Sequence, residues 1–140
     1  MKLLVLAVGR IKERHYADAC DEYWKRIKKK LPLEVRELAE RDDPLARRPP
    51  RHELWALDVG GAMWSSEELA AQLGRRMQRG AQGIAFAIGG AEGLSHEVRA
   101  AADVRLSLGP MTLAHRLARL VLAEQLYRAL TILAGEPYHR

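Results

Sequence analysis

The chain has 140 residues, 48% hydrophobic and 6% aromatic, with a formal net charge of +5. This length suits one domain, residues 1–140, with a real core, and the composition excludes a disordered chain. No apolar stretch reaches membrane-spanning length and the apolar start is too short for a signal peptide, so a cytoplasmic protein is expected. A lone cysteine, Cys20, excludes a disulfide framework and leaves no metal-ligand spacing, so no metal is expected.

Apolar runs of strand length alternate with helical patterns along the chain, which predicts an α/β fold. In chain order, the predicted elements are a strand at 2–8, a helix at 15–30, an edge strand at 33–38, a loop at 40–52, a strand at 54–59, a helix at 65–79, a strand at 84–88, a short helix at 95–102, a strand at 104–108 and a helix at 114–134. The last helix is apolar on almost all sides. That pattern indicates a subunit interface, most simply of a symmetric dimer.

The fourth predicted strand runs into a loop with three glycines, Gly89, Gly90 and Gly93. Ligands of open α/β sheets lie beyond the carboxyl ends of the strands, and glycine lets a backbone approach a ligand closely. The spacing matches neither a P-loop nor the dinucleotide fingerprint. The carboxylate of Glu92 also disfavours a phosphate ligand. A cationic or neutral small molecule is therefore expected here, with a ligand-free tight turn as the alternative.

Basic residues cluster in the sequence, which favours RNA or DNA as a partner. The clusters comprise Lys25, Arg26, Lys28, Lys29 and Lys30, then Arg47, Arg48 and Arg51, then Arg75, Arg76 and Arg79. Each cluster alone is more often a solvated surface. Because no aromatic platform accompanies them, contacts with the backbone of a structured nucleic acid are expected rather than base stacking.

Several motifs, spread in order over nearly the whole chain, match one known family. They comprise residues 6–13, residues 22–26, Gly-Gly-Ala-Glu-Gly at 89–93, residues 106–115, residues 124–129 and the terminal Pro-Tyr-His-Arg at 137–140. In these motifs the chain resembles the RlmH family, the ribosomal large-subunit pseudouridine N3-methyltransferases of the SPOUT class. The carboxyl-terminal half carries the most specific part of this resemblance.

The resemblance implies a homodimer with a SPOUT-type α/β fold, a parallel sheet and a C-terminal trefoil knot, a feature that general topology rules would not predict. It also implies methylation of N3 of a pseudouridine in 23S rRNA on assembled ribosomes. The implied cofactor is S-adenosyl-L-methionine. The residues that the resemblance assigns to cofactor binding are Leu57, Gly89, Leu108, Gly109, Pro110, Met111, Thr112 and Leu113.

Methyl transfer to a weakly acidic ring N–H needs a base or a group that stabilises the ring anion. The expected catalytic residues are His115 and the terminal Tyr138, His139 and Arg140. Expected RNA-binding residues are Arg10, Lys12, Arg26 and Arg128. Two purely structural alternatives remain open. His115 is then a structural hydrogen-bonding residue, and Arg128 pairs with Glu124 one helical turn away.

The sequence departs from the family pattern at three places. The stretch 40–52 is shorter than in the family, where a charged helix with a Lys-Glu-Gly motif intervenes. Ala62 stands where lysine is usual, and Ala114 stands where proline is usual. These departures leave two other functions open: a non-catalytic ribosome-binding or assembly protein of the same fold, or a knotted methyltransferase that acts on transfer RNA.

Overall fold

A five-stranded parallel sheet organises residues 1–139, the part of the chain that the computed structural model describes. The strands are β1 (Lys2–Val8), β2 (Leu33–Leu38), β3 (His52–Ala62), β4 (Gly83–Ile88) and β5 (Val104–Leu106), in the order β2-β1-β4-β3-β5. The helices are α1 (Arg14–Lys28), α2 (Pro44–Arg47), α3 (Ser66–Gln78), α4 (His96–Ala101) and α5 (His115–Ala134). All strand carboxyl ends therefore meet at one edge, where a ligand site is expected.

Two layers of helices cover the sheet because successive side chains of its central strands point to opposite faces. On one face, Leu3, Val5 and Phe86 pack in a core with residues of α1, α3 and α5. On the other face, Leu4 and Leu6 pack in a smaller core that α2 and α4 cover. The near-continuous apolar sequences of β1 and β4 follow from this burial on both faces.

The structure confirms the predicted α/β class and corrects some element bounds. Strand β3 continues past its predicted end to Ala62, because Ala62 pairs with Leu106 of β5 after a register shift. A Cβ on Gly61 would lie 2.5 Å from the Arg105 carbonyl carbon, so this close pairing requires glycine. Strand β5 ends before Ser107, whose hydroxyl bonds both backbone groups of Gly109 and turns the chain.

The predicted bounds of two further segments also change. Helix α1 ends at Lys28, two residues before its predicted end. The predicted loop at 40–52 contains the single-turn helix α2. The Asp43 side chain caps this helix by accepting a hydrogen bond from the backbone N–H of Leu45. The edge position of β2 and the serine cap of α3, here a full capping box, are as predicted.

Helix α5 packs against both α1 and α3, and no α5 residue before Leu133 is fully exposed. The apolar side chains of α5 are thus largely covered by other elements of the same chain. The apolar sequence of α5 alone therefore no longer requires a partner subunit. None of the helices within residues 1–139 is long and apolar enough to cross a bilayer. The dimer expected from the sequence stays a prediction.

Candidate functional site

A pocket of about 200 Å³ lies at the carboxyl edge of the sheet, between the end of β3, the glycine loop after β4 and the loop from β5 to α5. It opens towards solvent beside Met111, whose residue surface is 80% exposed. The lining residues are Leu57, Asp58, Val59, Ile88, Gly89, Gly90, Ala91, Gly93, Leu94, Leu106, Leu108, Gly109, Met111, Thr112, Leu113, His115 and Ala118. Three segments far apart in sequence therefore form one site.

The pocket brings together every cofactor-binding residue expected from the sequence except Pro110, which is exposed outside the lining. Sequence reasoning missed Asp58, Gly90 and Leu94, among others. Each missed residue neighbours a predicted one or continues the glycine loop. Extending each predicted segment by one or two residues would have found most of them.

The glycine loop is a closed turn whose shape depends on the absence of side chains. The N–H of Gly93 donates to the carbonyl oxygen of Gly90 at 3.0 Å, and Gly93 has φ +75°. A Cβ on Gly89 would lie 2.5 Å from the carbonyl carbon of Gly93 and 2.7 Å from the backbone nitrogen of Leu94. The two sides of the loop therefore touch at Gly89 and fix this wall of the pocket.

The electrostatics of the pocket disfavour a phosphate ligand. Its lining, within residues 1–139, contains no lysine or arginine, and its ionisable residues are Asp58 and His115. The Asp58 carboxylate lies 3.2 Å from the Arg105 guanidinium and accepts a hydrogen bond from Gly60 N–H. Glu92 lines an adjoining depression, so the absence of lysine and arginine from the pocket lining, rather than the Glu92 carboxylate, disfavours phosphate. No group of three metal-ligating side chains occurs within the described residues.

His115 begins α5 at the rim of the pocket, where its ring approaches the end of β1. A Cβ on Gly9 would lie 3.8 Å from His115 Nε2. One helical turn further, the buried guanidinium of Arg119 donates to the carbonyl oxygen of Gly9 at 3.1 Å and pairs with Glu37. Burial alone would raise the pKa of Glu37, but hydrogen bonds from Arg119 and from the Ile11 N–H lower it overall.

These contacts fix the first turn of α5 against the ends of β1 and β2. Arg10 and Lys12, two of the expected RNA-binding residues, follow Gly9 in the adjoining loop and are exposed. The pocket, His115 and these two cations therefore share one end of the molecule.

The other expected catalytic residues lie in a second group, the tail cluster, formed by Arg26, Glu124, Arg128, Tyr138 and His139. The Tyr138 hydroxyl and the Arg128 guanidinium both donate to Glu124 Oε2, at 2.8 Å and 2.9 Å. The Arg128 guanidinium also lies over the Tyr138 ring at 4.8 Å. Arg26 lies over the ring of Tyr127, which contacts the Tyr138 ring. The pairing of Arg128 with Glu124 thus exists, and the tail cluster includes it.

Hydrogen bonds connect the tail cluster to the start of α3. The His139 ring lies between Arg128, 3.1 Å from Nδ1, and Glu67 Oε1, 2.8 Å from Nε2. Burial and the bond to Glu124 raise the pKa of Tyr138 above its ordinary value, so the phenol stays protonated. The sequence-predicted Arg140 lies outside the described residues.

Within one chain, the two groups of expected catalytic residues are separate. Tyr138 and His139 do not line the pocket. Their anchor Glu124 follows His115 by nine residues of α5, which places it about 13 Å further along the axis and on the opposite helix face. A site that uses both groups therefore needs a second chain.

Comparison with known proteins gives consistent matches over the whole chain. The family model described as "Predicted SPOUT methyltransferase" matches residues 1–139. The chain is 46% identical over 154 aligned residues to Ribosomal RNA large subunit methyltransferase H of Anaeromyxobacter sp. (strain Fw109-5), covering 100% of both chains. It is 48% identical to the protein of the same name from Sorangium cellulosum (strain So ce56), covering 99% of each chain.

Solved structures of low sequence identity share the fold. TrmJ from Z. mobilis ZM4 matches with a TM-score of 0.61 at 13% identity, covering 100% of this chain and 73% of that one. The A. aeolicus TrmH/SpoU tRNA modifying enzyme matches with a TM-score of 0.55 at 14% identity, covering 99% of this chain and 81% of that one. The methyltransferase Lpg2936 from Legionella pneumophila, in complex with its cofactor SAM, matches with a TM-score of 0.51 at 14% identity, covering 95% of this chain and 66% of that one.

Proposed function

The chain belongs to the SPOUT methyltransferase family and, within it, to the ribosomal RNA large subunit methyltransferases H; from this premise we propose that it methylates N3 of a pseudouridine in 23S rRNA. The proposed methyl donor is S-adenosyl-L-methionine, and the proposed substrate is the assembled ribosome. The whole chain acts as one domain in this proposal. Action on ribosomes places the protein in the cytoplasm.

The observation that carries the proposal is the pocket, in which seven of the eight expected cofactor-binding residues meet. Its leucine side chains suit the flat adenine of the donor, and its lack of lysine and arginine suits a cationic sulfonium. S-adenosyl-L-methionine, when bound, supplies a methyl group already activated on that sulfonium. The residues of this chain then have to orient the uridine ring, exclude water and handle the N3 proton.

The separation of the pocket from the tail cluster supports a homodimer with composite sites. In this proposal, the tail residues Tyr138 and His139 of one protomer lie across the pocket of its partner. Two-fold symmetry creates two equal sites of this kind. The C-terminal knot implied by the family is part of the same proposal, since it brings the glycine loop and the loop from β5 to α5 to one pocket.

The tail cluster has groups suited to a ring that becomes anionic. The Tyr138 phenol and the Arg128 guanidinium both donate to Glu124 in this structure and, on turning from Glu124 to the substrate, would stabilise negative charge on the ring. The His139 ring is a candidate for handling the N3 proton. Arg26 on the tail side, and Arg10 and Lys12 on the pocket side, then contact RNA phosphates.

Deletion of residues 138–140 tests the assignment of the tail. We expect the deleted protein still to bind S-adenosyl-L-methionine in calorimetry, because the pocket walls that each chain forms do not include its tail. Methyl transfer to ribosomes that lack the modification should fall at least about 100-fold, the range typical for loss of positioned catalytic groups. Intact methylation would overturn the assignment.

Mixed dimers test the composite site directly. The tail-deleted protein is mixed and re-equilibrated with a Gly89→Ala variant, which keeps its tail, at a cofactor concentration well below the Kd of that variant, so that its own pocket is mostly empty. A mixed dimer then contains one complete composite site, so activity should return to at most about a quarter of the native value. If each site belonged to a single protomer, mixing would restore nothing.

The same assays separate the other candidate functions. A protein that binds no S-adenosyl-L-methionine is a ribosome-binding scaffold rather than an enzyme. A protein that binds the cofactor and methylates transfer RNA, but not ribosomes, is a transfer RNA methyltransferase of the same fold. The family match over residues 1–139 supports neither of these outcomes over the ribosomal one.

A further inference from the structure

Five arginines gather at the amino edge of the sheet, at the opposite ends of the strands from the pocket. The segment before β3 contributes two of them and the end of α3 contributes three. This arginine patch consists of Arg48, Arg51, Arg75, Arg76 and Arg79. From His52 to Leu57, β3 spans about 17 Å, so the patch lies roughly that far from the pocket.

Two carboxylates connect the arginine patch. Glu53 of β3 pairs with Arg76 at 3.1 Å and with Arg79 at 3.5 Å. Asp103 lies 3.7 Å from Arg48, and a single depression is lined by Arg48, Arg51, Glu53 and Asp103. The two sequence clusters that contribute arginines thus form one continuous surface.

Both carboxylates already have structural partners. Asp103 accepts the backbone N–H of Leu54 at 2.7 Å, and Glu53 accepts the indole N–H of the buried Trp55 at 3.2 Å. Arg51 and Arg75 have no ion-pair or side-chain hydrogen-bond partner within residues 1–139, and both are exposed. The patch therefore has an excess of positive charge that faces solvent, which favours an anionic partner.

A tight turn places Arg51 on this surface. Arg51 has φ +62° and is the one residue other than glycine with positive φ within residues 1–139. It follows Pro49 and Pro50, and the N–H of His52 donates to the Pro49 carbonyl oxygen at 3.4 Å, which closes the turn. The turn leads directly into β3 and brings Arg51 into the same depression as Arg48.

We propose that the arginine patch is a second RNA-binding surface, which contacts backbone phosphates of the ribosomal RNA away from the methylated nucleotide. Arginine forks pair with phosphate through two parallel N–H bonds, and the forks of Arg51 and Arg75 are exposed and unpaired within residues 1–139. The inference rests on the proposed ribosomal substrate. It assigns a role to residues that lie far from the pocket.

A double substitution tests the patch with little risk to folding. In the variant Arg51→Gln/Arg75→Gln, both altered side chains are exposed and unpartnered within the described residues. The matched control is Arg41→Gln/Arg99→Gln, which removes the same charge from exposed positions outside the three basic clusters. Both variants should bind S-adenosyl-L-methionine like the native protein.

The expected result is a rise in KM for ribosomes of about 10-fold in 0.15 M salt, with kcat within about twofold. The slope of log affinity against log salt concentration, measured with protein-free 23S rRNA, should become shallower by about 2. The control variant should change neither quantity. Unchanged KM and slope, or equal losses in the control, would overturn the inference.

Protein-free rRNA also distinguishes an RNA contact from a contact with a ribosomal protein. Weaker binding to ribosomes with unchanged binding to protein-free rRNA would show that the patch contacts an acidic ribosomal protein, and would overturn the RNA assignment. If the native protein fails to methylate ribosomes, the proposed function fails. The salt slope on protein-free rRNA still tests the patch in that case.

Discussion

Replacing Gly89 by alanine should disrupt the pocket through a purely steric effect. The added Cβ would lie 2.5 Å from the Gly93 carbonyl carbon and 2.7 Å from the Leu94 nitrogen. Carbon atoms in contact lie at about 3.5–4.0 Å, so the opposing backbone must move by about 1 Å. Such overpacking costs about 1–3 kcal/mol. If the cofactor binds only to the native loop conformation, binding has to offset this cost. The Kd for S-adenosyl-L-methionine should then rise by roughly 5- to 150-fold.

Isothermal titration calorimetry with S-adenosyl-L-methionine measures this change directly. Gly60→Ala is the matched control, because a Cβ there would meet only the Asp58 carboxylate at 3.8 Å and Gly60 has no positive φ. The control should bind like the native protein. A Gly89→Ala protein that is folded, as judged by circular dichroism, and binds with a native Kd would refute the steric account of the glycine loop.

Two predictions concern stability. Because Glu37 has a lowered pKa in the folded protein, its pair with Arg119 stabilises the fold above the unfolded pKa of about 4.3, and this contribution is lost as pH falls through the folded value. Glu37→Gln should therefore lower the free energy of unfolding by about 1 kcal/mol at pH 7. This loss is smaller than for a fully buried pair, because the Glu37 side chain is 41% exposed. Urea denaturation should show that the difference in free energy of unfolding between variant and native protein shrinks by about pH 3. A constant difference would contradict this. Gly74→Ala should raise Tm by a few degrees in calorimetry, because alanine stabilises a helix by up to about 1 kcal/mol relative to glycine. The new Cβ would contact a methyl group of Leu133, which lies at the end of a partly exposed side chain and can move aside. A fall in Tm would show that Leu133 cannot move.

Local patterns were sufficient for most of the fold. The bounds of β1 and β2 follow from continuous and alternating apolar residues, and Gly135, with φ +70°, ends α5 where the sequence predicted. Strand β3 was predicted too short because two glycines resemble a strand end. Its continuation depends on pairing with Leu106, a contact between distant segments that no local pattern contains.

The sequence predicted residues that the structure brings into one pocket, but not how that pocket lies relative to the tail. The resemblance to the family named seven residues that the pocket does bring together. It could not show that His115 and Tyr138 lie on different sides of α5, because that depends on how the chain folds back after Gly135. The expectation of a ligand other than phosphate stays a prediction. Glu92 does not support it, because Glu92 lies outside the pocket lining and side-chain direction in a glycine loop has no sequence signature.

Helix α5 joins the loop that bounds the pocket at one end to the tail cluster at the other. In the proposed dimer, each α5 thus contributes to both composite sites. Its first turn contributes to the site at the pocket of its own chain, and the tail that follows it contributes to the site at the pocket of the partner. A rigid shift of the helix on ligand binding at one site would then move residues of the second site by a similar distance. The two sites of the dimer are mechanically linked by this helix, and a cofactor titration that fits two unequal affinities would be the thermodynamic signature of that link.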